Sequence, residues 1–302
     1  MRDKLRSWLS PPDPSVNHNT ACKTQHGGTA TWFIQGSTFQ DWKKNGSLLW
    51  VRGNRTLLHA SLPSCLLINL PISQRVPGKA SSGAWFLACF CDIEFIFWIS
   101  SAIIEDIKNM QEARQALIAF YYFDFKDVSK RDVRGLLASL LFQLGDDSDL
   151  CWDVLYKLYT SCNDGSKQPS EAALARCLKS MLEHPGQFPT FLIIDALDEC
   201  PNTTGTPSAR EEVLDFLDDL VGSGHLNLFI CVTSRPEQDI QSVLTPLTST
   251  FSRVSLHDED GQREDIKSYV HSFVNKDRAM RRWREEDRKL VISTLVERAG
   301  GM

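Results

Sequence analysis

Two apolar runs in this chain each end in a cluster of polar side chains, and this pairing limits the fold more than any other feature. Phe191-Leu192-Ile193-Ile194 leads into Asp195-Ala196-Leu197-Asp198-Glu199, and an apolar run over 226–232 leads into Thr233-Ser234-Arg235-Pro236. Short apolar runs without alternation fit strands buried on both faces, as in parallel sheets. Ligands of such sheets bind outside the carboxyl ends of the strands. A carboxylate at Asp195 can hold Mg²⁺ through water, and the metal neutralises phosphate charge. Ala196 is small enough for a close turn, and Asp198 or Glu199 could orient or deprotonate a water attacking a γ-phosphate. The hydroxyl of Thr233 and the guanidinium of Arg235 suit phosphate sensing. The competing interpretation is an exposed acidic turn after one strand, and after the other a strand end with Pro236 starting a helix.

The rest of the chain supplies the expected alternation. Residues 1–40 read as loop-like and polar, with Pro11-Pro12-Asp13-Pro14 breaking any helix, and a short aromatic helix near Thr31 to Trp42 docks on the core. Leu48-Leu49-Trp50-Val51 is a buried strand and Phe120 to Phe125 a second. Between them, residues 101–110 form a helix with Ile103, Ile104 and Ile107 on one face. Ser129-x-x-Asp132 can cap a helix carrying Val133, Leu136, Leu137, Leu140, Leu141 and Leu144, with Gly145 as its end. Ser170 caps another, which stops at Pro185-Gly186. A helix follows near 209–221, a short one after Pro236, a last strand over 251–256, and a helix marked by Ile266, Tyr269, Val270 and Phe273. Alternating strands and helices predict an α/β, three-layer architecture with a parallel sheet flanked by helices.

Against this regularity stands a conflict. The loop G-x-x-x-x-G-K-[ST], whose backbone N–H groups cradle phosphates while its Lys and hydroxyl serve charge and Mg²⁺, occurs nowhere. After the first strand there is only Arg52-Gly53-Asn54. Val76-Pro77-Gly78-Lys79-Ala80-Ser81-Ser82 contains Gly, Lys and Ser, but its spacing fails and no strand feeds it. Gly53 and Lys79 are therefore weak phosphate-binding candidates beside Thr233. A βαβ unit takes about 30 residues, and the surplus over 55–99 has no steady period, so an irregular insertion after the first strand is expected.

Several functions are disfavoured. A net charge of −5 gives no general attraction to nucleic acid or anionic membrane. The arginines at 278, 281, 282 and 284 alternate with acids, as on a solvated helix face. Residues 84–104 are apolar enough to suggest a membrane span, but Asp92 and Glu94 in the middle oppose it. The nine cysteines include no C-x-x-C pair and the seven histidines no sequence cluster, which argues against zinc, and Cys200 has no neighbouring His to activate it. A reducing cytoplasm is the expected setting.

Gly28-Thr29-Ala30-Thr31-Trp32-Phe33, Leu48 to Val51, Phe120 to Phe125, Leu192 to Cys200, Cys231 to Glu237 and Glu297 to Met302 together resemble the NACHT domain, in its large fungal set with nephrocystin-like N-terminal domains. The resemblance covers nearly all of the chain outside 55–99, with residues 1–45 as a lead-in and 46–302 as the domain. It implies a STAND-class P-loop NTPase, a nucleotide-dependent switch like those of heterokaryon incompatibility and fungal innate immunity. It further implies ATP or GTP with Mg²⁺ as cofactor and a winged-helix region with repeats after Met302. Other NACHT proteins or downstream effectors would be its partners, and active members oligomerise. Asp195 would serve the metal, Asp198 and Glu199 hydrolysis, and Arg235 the sensor position. The phosphate loop should follow Gly53 and lead into Ser101-Ala102-Ile103-Ile104, and residues 54–100 stand in its place. Resumption of the pattern at Ser101 fits a segment such as a translated intron interrupting an ordinary member, and a degenerate member is the other explanation. The expected function is a NACHT-type signalling switch impaired in nucleotide binding. The alternatives are a non-enzymatic scaffold keeping the fold and a competent NTPase using the Pro77–Ser82 loop.

Overall fold

The structure is a computed structural model that describes residues 1–25, 28–53, 80–184, 186–203, 207–249, 252–256, 260–276 and 280–299. Five strands form one all-parallel sheet: β1 (Ser47–Arg52), β2 (Leu117–Tyr122), β3 (Thr190–Asp195), β4 (Leu228–Ser234) and β5 (Arg253–Ser255), in the order β2-β3-β4-β1-β5. The register aligns Tyr122 with Asp195, Val51 with Thr233, and Arg52 with both Ser234 and Ser255, so the carboxyl ends make one polar edge.

Alternate residues of each strand feed two cores. Trp50, Leu192, Ile194, Ile230 and Val232 point to a layer made by α1 (Arg2–Leu9), α6 (Val133–Asp147), α7 (Asp149–Ser161), α8 (Glu171–Leu182), α9 (Ala209–Gly222) and α10 (Gln238–Leu247). Leu49, Val51, Phe191, Ile193, Phe229 and Cys231 point to α3 (Thr31–Gln35), α4 (Ser37–Asn45) and α5 (Ala80–Glu112). The connection from β1 out to β2 therefore runs on one face, and those stepping back through β3 and β4 to β5 run on the other. Crossovers of a single hand require this arrangement, because reversing direction along the sheet moves the helix to the opposite face. The large central Trp50 is accommodated because its indole N–H donates to Ser234 Oγ at 2.9 Å.

Several expectations need correction. The N-terminal forty residues are not loop-like: α1, α2 (Ser15–Thr24) and α3 occupy much of that stretch, and α4 starts at Ser37. Leu5, Trp8 and Leu9 share one face of α1, and the Trp8 indole donates to the Lys167 carbonyl at 2.8 Å. An eight-residue helix is marginal alone, so docking and not propensity holds it. The turn 11–14 does separate α1 from α2, and Phe33, Phe39 and Trp42 are buried as expected. The helix expected over 101–110 is the end of the much longer α5; residues 54–79 lie outside the described residues, but 80–99 are helical. α7 was not expected at all. α6 runs past Gly145 to Asp147, and Asp132 alone caps it, accepting from Gly135 N–H at 2.8 Å, while the Ser129 hydroxyl donates to Asp127. β2 begins and ends three residues earlier than the Phe120 to Phe125 run, with Phe123 N–H still donating to Asp195 O at 3.0 Å. Leu226, 94% exposed, precedes β4. Beyond β5 come α11 (Asp260–Lys276) and α12 (Glu285–Ala299), whose Val270, Val274 and Val291 pack with Trp98 in a small separate core. Among the described residues no helix is long and apolar enough to cross a membrane.

Candidate functional site

The connections leaving β1 and β4 run in opposite directions along the sheet, so the carboxyl edge between these strands is the topological switch point, where ligands of open α/β sheets bind. Asp195, Thr233, Ser234, Arg235 and Gly53 converge there. Asp195 ends β3 and is 1% exposed. The Thr233 hydroxyl donates to its Oδ1, and Ser100 of α5 also hydrogen-bonds the carboxyl. Thr233 Oγ1 in turn accepts from Ala196 N–H at 3.1 Å, which ties the start of the acidic turn to β4. Ala196 turns the chain in a left-handed conformation, φ 58°, where a small side chain limits the steric cost.

Burial pushes the Asp195 carboxyl up to about 7, the Thr233 and Ser100 hydroxyls oppose the shift, and the nearby charges of Glu199 and Asp198 add to it. Burial thus favours the protonated carboxyl well above the ordinary carboxylate range. Asp198 is clamped by Arg235: Nε lies 3.2 Å from Oδ2, and the Arg235 backbone N–H donates to Oδ1 at 3.1 Å. Glu199 accepts from Phe125 N–H at 3.2 Å, and burial raises its pKa with help from Asp198 and Asp124. The structure therefore brings the predicted acidic and sensor residues together, but Asp198 and Arg235 satisfy each other. Cys200 is buried, donates to Arg131 O at 3.1 Å, and its thiol is pushed up to about 12, so it is no nucleophile.

Two functional positions escaped the sequence. Ser100 was hidden in the apolar helix. Arg210, at the start of α9, is buried behind the acidic turn. It donates to the carbonyls of Cys200 (2.8 Å) and Asp198 (2.6 Å) and pairs with Glu237 and Asp239. It joins the β3 turn to the residues after β4. Its spacing after the acidic turn, behind the capping box formed by Ser208 and Glu211, is the only signal the sequence carries for it.

Whether these residues fit a magnesium–nucleotide turns on Gly53. Its N–H donates to Ser234 O at 3.3 Å, and a Cβ built on it would lie 2.7 Å from Ile96 Cδ1. A side chain from inside α5 therefore sits where a phosphate loop would wrap. α5 begins at Ala80, sixteen residues before Ile96, or about 24 Å along the axis at 1.5 Å per residue. The unpaired N–H groups that favour phosphate at a helix start are correspondingly far from Gly53. Lys79 lies outside the described residues. The described residues at this edge do not fit a magnesium-bound triphosphate: an apolar side chain covers Gly53, and Asp195 is enclosed by hydroxyls.

Residues 98–235 match the family model described as Nephrocystin 3, N-terminal. The match covers just under half of the chain, opens inside α5 after the segment that covers Gly53, and closes on Arg235, so it takes in β2, β3, β4 and both polar strand ends. No curated protein matches the chain.

Proposed function

We propose that this chain is a NACHT-type module of the STAND class whose nucleotide switch is impaired at the phosphate loop. It would act by presenting a P-loop-type fold to other NACHT proteins or downstream effectors in the cytoplasm, and not by turning over ATP or GTP. The five-strand parallel order, the acidic turn after β3 and the match over 98–235 support the fold half of this proposal. The observation that carries the impairment is Ile96 packed on Gly53. Phosphoryl transfer depends on positioned backbone donors, a Lys and a metal, and at this edge the first is covered while the candidate metal carboxylate is buried and its pKa raised. Asp198 and Arg235, clamped together, are then positioning residues that keep the two strand ends in register.

Calorimetric titration of the full chain with Mg-ATP and Mg-GTP tests the proposal. No saturable binding up to millimolar nucleotide is expected. Micromolar binding would overturn the impairment and favour a competent NTPase using the Pro77–Ser82 loop.

A further inference from the structure

α2 carries His18 and Cys22 four residues apart, which places them on one helix face. Glu105 of α5 packs against them, and the three ligand atoms lie within 4.8 Å of one another. His18 Nε2 is 3.6 Å from Cys22 Sγ and 2.8 Å from Glu105 Oε1. Zinc bonds of about 2.05 Å to nitrogen and 2.3 Å to sulfur, at a tetrahedral angle, set these atoms about 3.5 Å apart. The nitrogen–sulfur edge is therefore already formed. The nitrogen–oxygen edge must open to about 3.3 Å, a movement available to Glu105, whose side chain is half exposed.

The imidazole is also prepared for a cation. His18 is buried, and its Nδ1 lies 3.2 Å from the Tyr122 hydroxyl. Lys108 Nζ lies 2.9 Å from Nε2 and 3.0 Å from Glu105 Oε1. Nε2 thus faces both the Lys108 ammonium, which can only donate, and the Glu105 carboxylate, which can only accept, while the Tyr122 hydroxyl can pair with Nδ1 in either tautomer. A hydrogen-bond partner on the ring nitrogen opposite the ligating one, here Tyr122 on Nδ1, is the usual support of a metal-binding His. The Lys108 ammonium already occupies the cationic centre, on a flexible stem partly open to solvent.

We propose that His18, Cys22 and Glu105 form a zinc site with its fourth position open to water, and that Lys108 is its built-in competitor. When zinc binds, Cys22 gives up its thiol proton to solvent and Lys108 swings outward, so α2 becomes tied to α5. The nitrogen, sulfur and oxygen donor set suits Zn²⁺ and not the hard, oxygen-preferring Mg²⁺. The site is separate from the nucleotide proposal and stands or falls independently of it.

Cobalt titration of the metal-free, reduced full chain tests it. One equivalent of Co²⁺ should raise a thiolate-to-cobalt charge-transfer band that Zn²⁺ displaces, Cys22→Ser should abolish the band, and Lys108→Met should tighten binding by about tenfold or more by removing the competing charge. Absence of the band in the wild type, its persistence in Cys22→Ser, or unchanged affinity in Lys108→Met would overturn the proposal. Alkylation mapped by mass spectrometry decides the matter should Cys22→Ser fail to fold. Zinc must then protect Cys22 in the wild type, and equal labelling with and without zinc overturns the site.

Discussion

Replacing Asp195 by Asn should stabilise this protein, and increasingly so as the pH rises. The carboxyl is enclosed, and its folded pKa of about 7 exceeds the reference value of 3.8. The folded state thus holds a proton that the unfolded chain releases between those values, and stability falls as pH rises through that window. At about 1.4 kcal/mol per unit, the full penalty is about 4 kcal/mol and is complete above pH 7. Asn keeps the shape and cannot ionise. Its Oδ1 can accept from Thr233, and its amide can donate to Ser100 Oγ once the Ser100 hydroxyl turns from the side chain at 195 to Phe97 O, 3.0 Å away. Urea unfolding of both proteins from pH 5 to 8 reads the difference as a shift in midpoint at constant slope. The advantage of Asn should grow from about 2 kcal/mol at pH 5 to about 4 kcal/mol at pH 8 and then level off. A difference that does not change with pH, or a loss of stability in Asp195→Asn at pH 8, would mean that Asp195 is ionised in the fold, as a metal-ready carboxylate would be, and would refute the reasoning.

Three further substitutions probe the frame around this edge. Arg210→Met should cost about 3–5 kcal/mol in chemical denaturation, because it leaves Glu237, Asp239 and two carbonyls without their shared partner; a cost under about 1 kcal/mol would show the network to be incidental. Gln143→Leu should cost about 1–3 kcal/mol and promote self-association seen by light scattering. The Gln143 side chain accepts from Phe120 N–H at 3.1 Å and donates to Phe120 O at 2.9 Å, masking the free edge of β2 as a neighbouring strand would. Gly135→Ala should cost about 1–3 kcal/mol by overpacking, since its Cβ would meet Ser129 O at 2.3 Å and Tyr121 Oη at 2.9 Å; an unchanged denaturation midpoint would show that the loop yields.

The strands were legible because burial on both faces forces unbroken apolar runs, as at Phe191 to Ile194, and their polar ends follow from where parallel sheets open to ligands. What escaped was set by partners distant in sequence. α1 exists because Leu5, Trp8 and Leu9 meet the sheet layer, and nothing within eight residues announces that. α7 does carry Cys151, Leu155 and Tyr159 at four-residue spacing, all buried, so that pattern was present and overlooked. The apolar stretch before Ser101 gave no steady period in the sequence, although its backbone is helical from Ala80. At the site, the acidic turn and Arg235 lie at one edge as the strand ends suggest, but their mutual clamp depends on β3 pairing with β4, and the Ser100 contact and the Arg210 brace depend on α5 and α9 arriving from elsewhere. His18 and Cys22 were passed over because a C-x-x-C pair was the pattern sought, while the third ligand stands more than eighty residues away.

The proposed impairment of the phosphate loop rests on Ile96 lying against Gly53, and a double-mutant cycle measures that contact directly. Gly53→Ala places a Cβ 2.7 Å from Ile96 Cδ1 and 3.1 Å from its Cγ1, so the Ile96 side chain must shift and the protein should lose some stability, whereas in an Ile96→Ala background the same change should be tolerated. The predicted coupling in equilibrium urea unfolding is about 0.5–1 kcal/mol, the lower end of the range seen for residues in contact, because Ile96 Cδ1 is the movable end of its side chain. Additive effects, with no coupling, would place Ile96 away from Gly53, reopen the carboxyl edge of β1 to phosphate, and contradict the central claim.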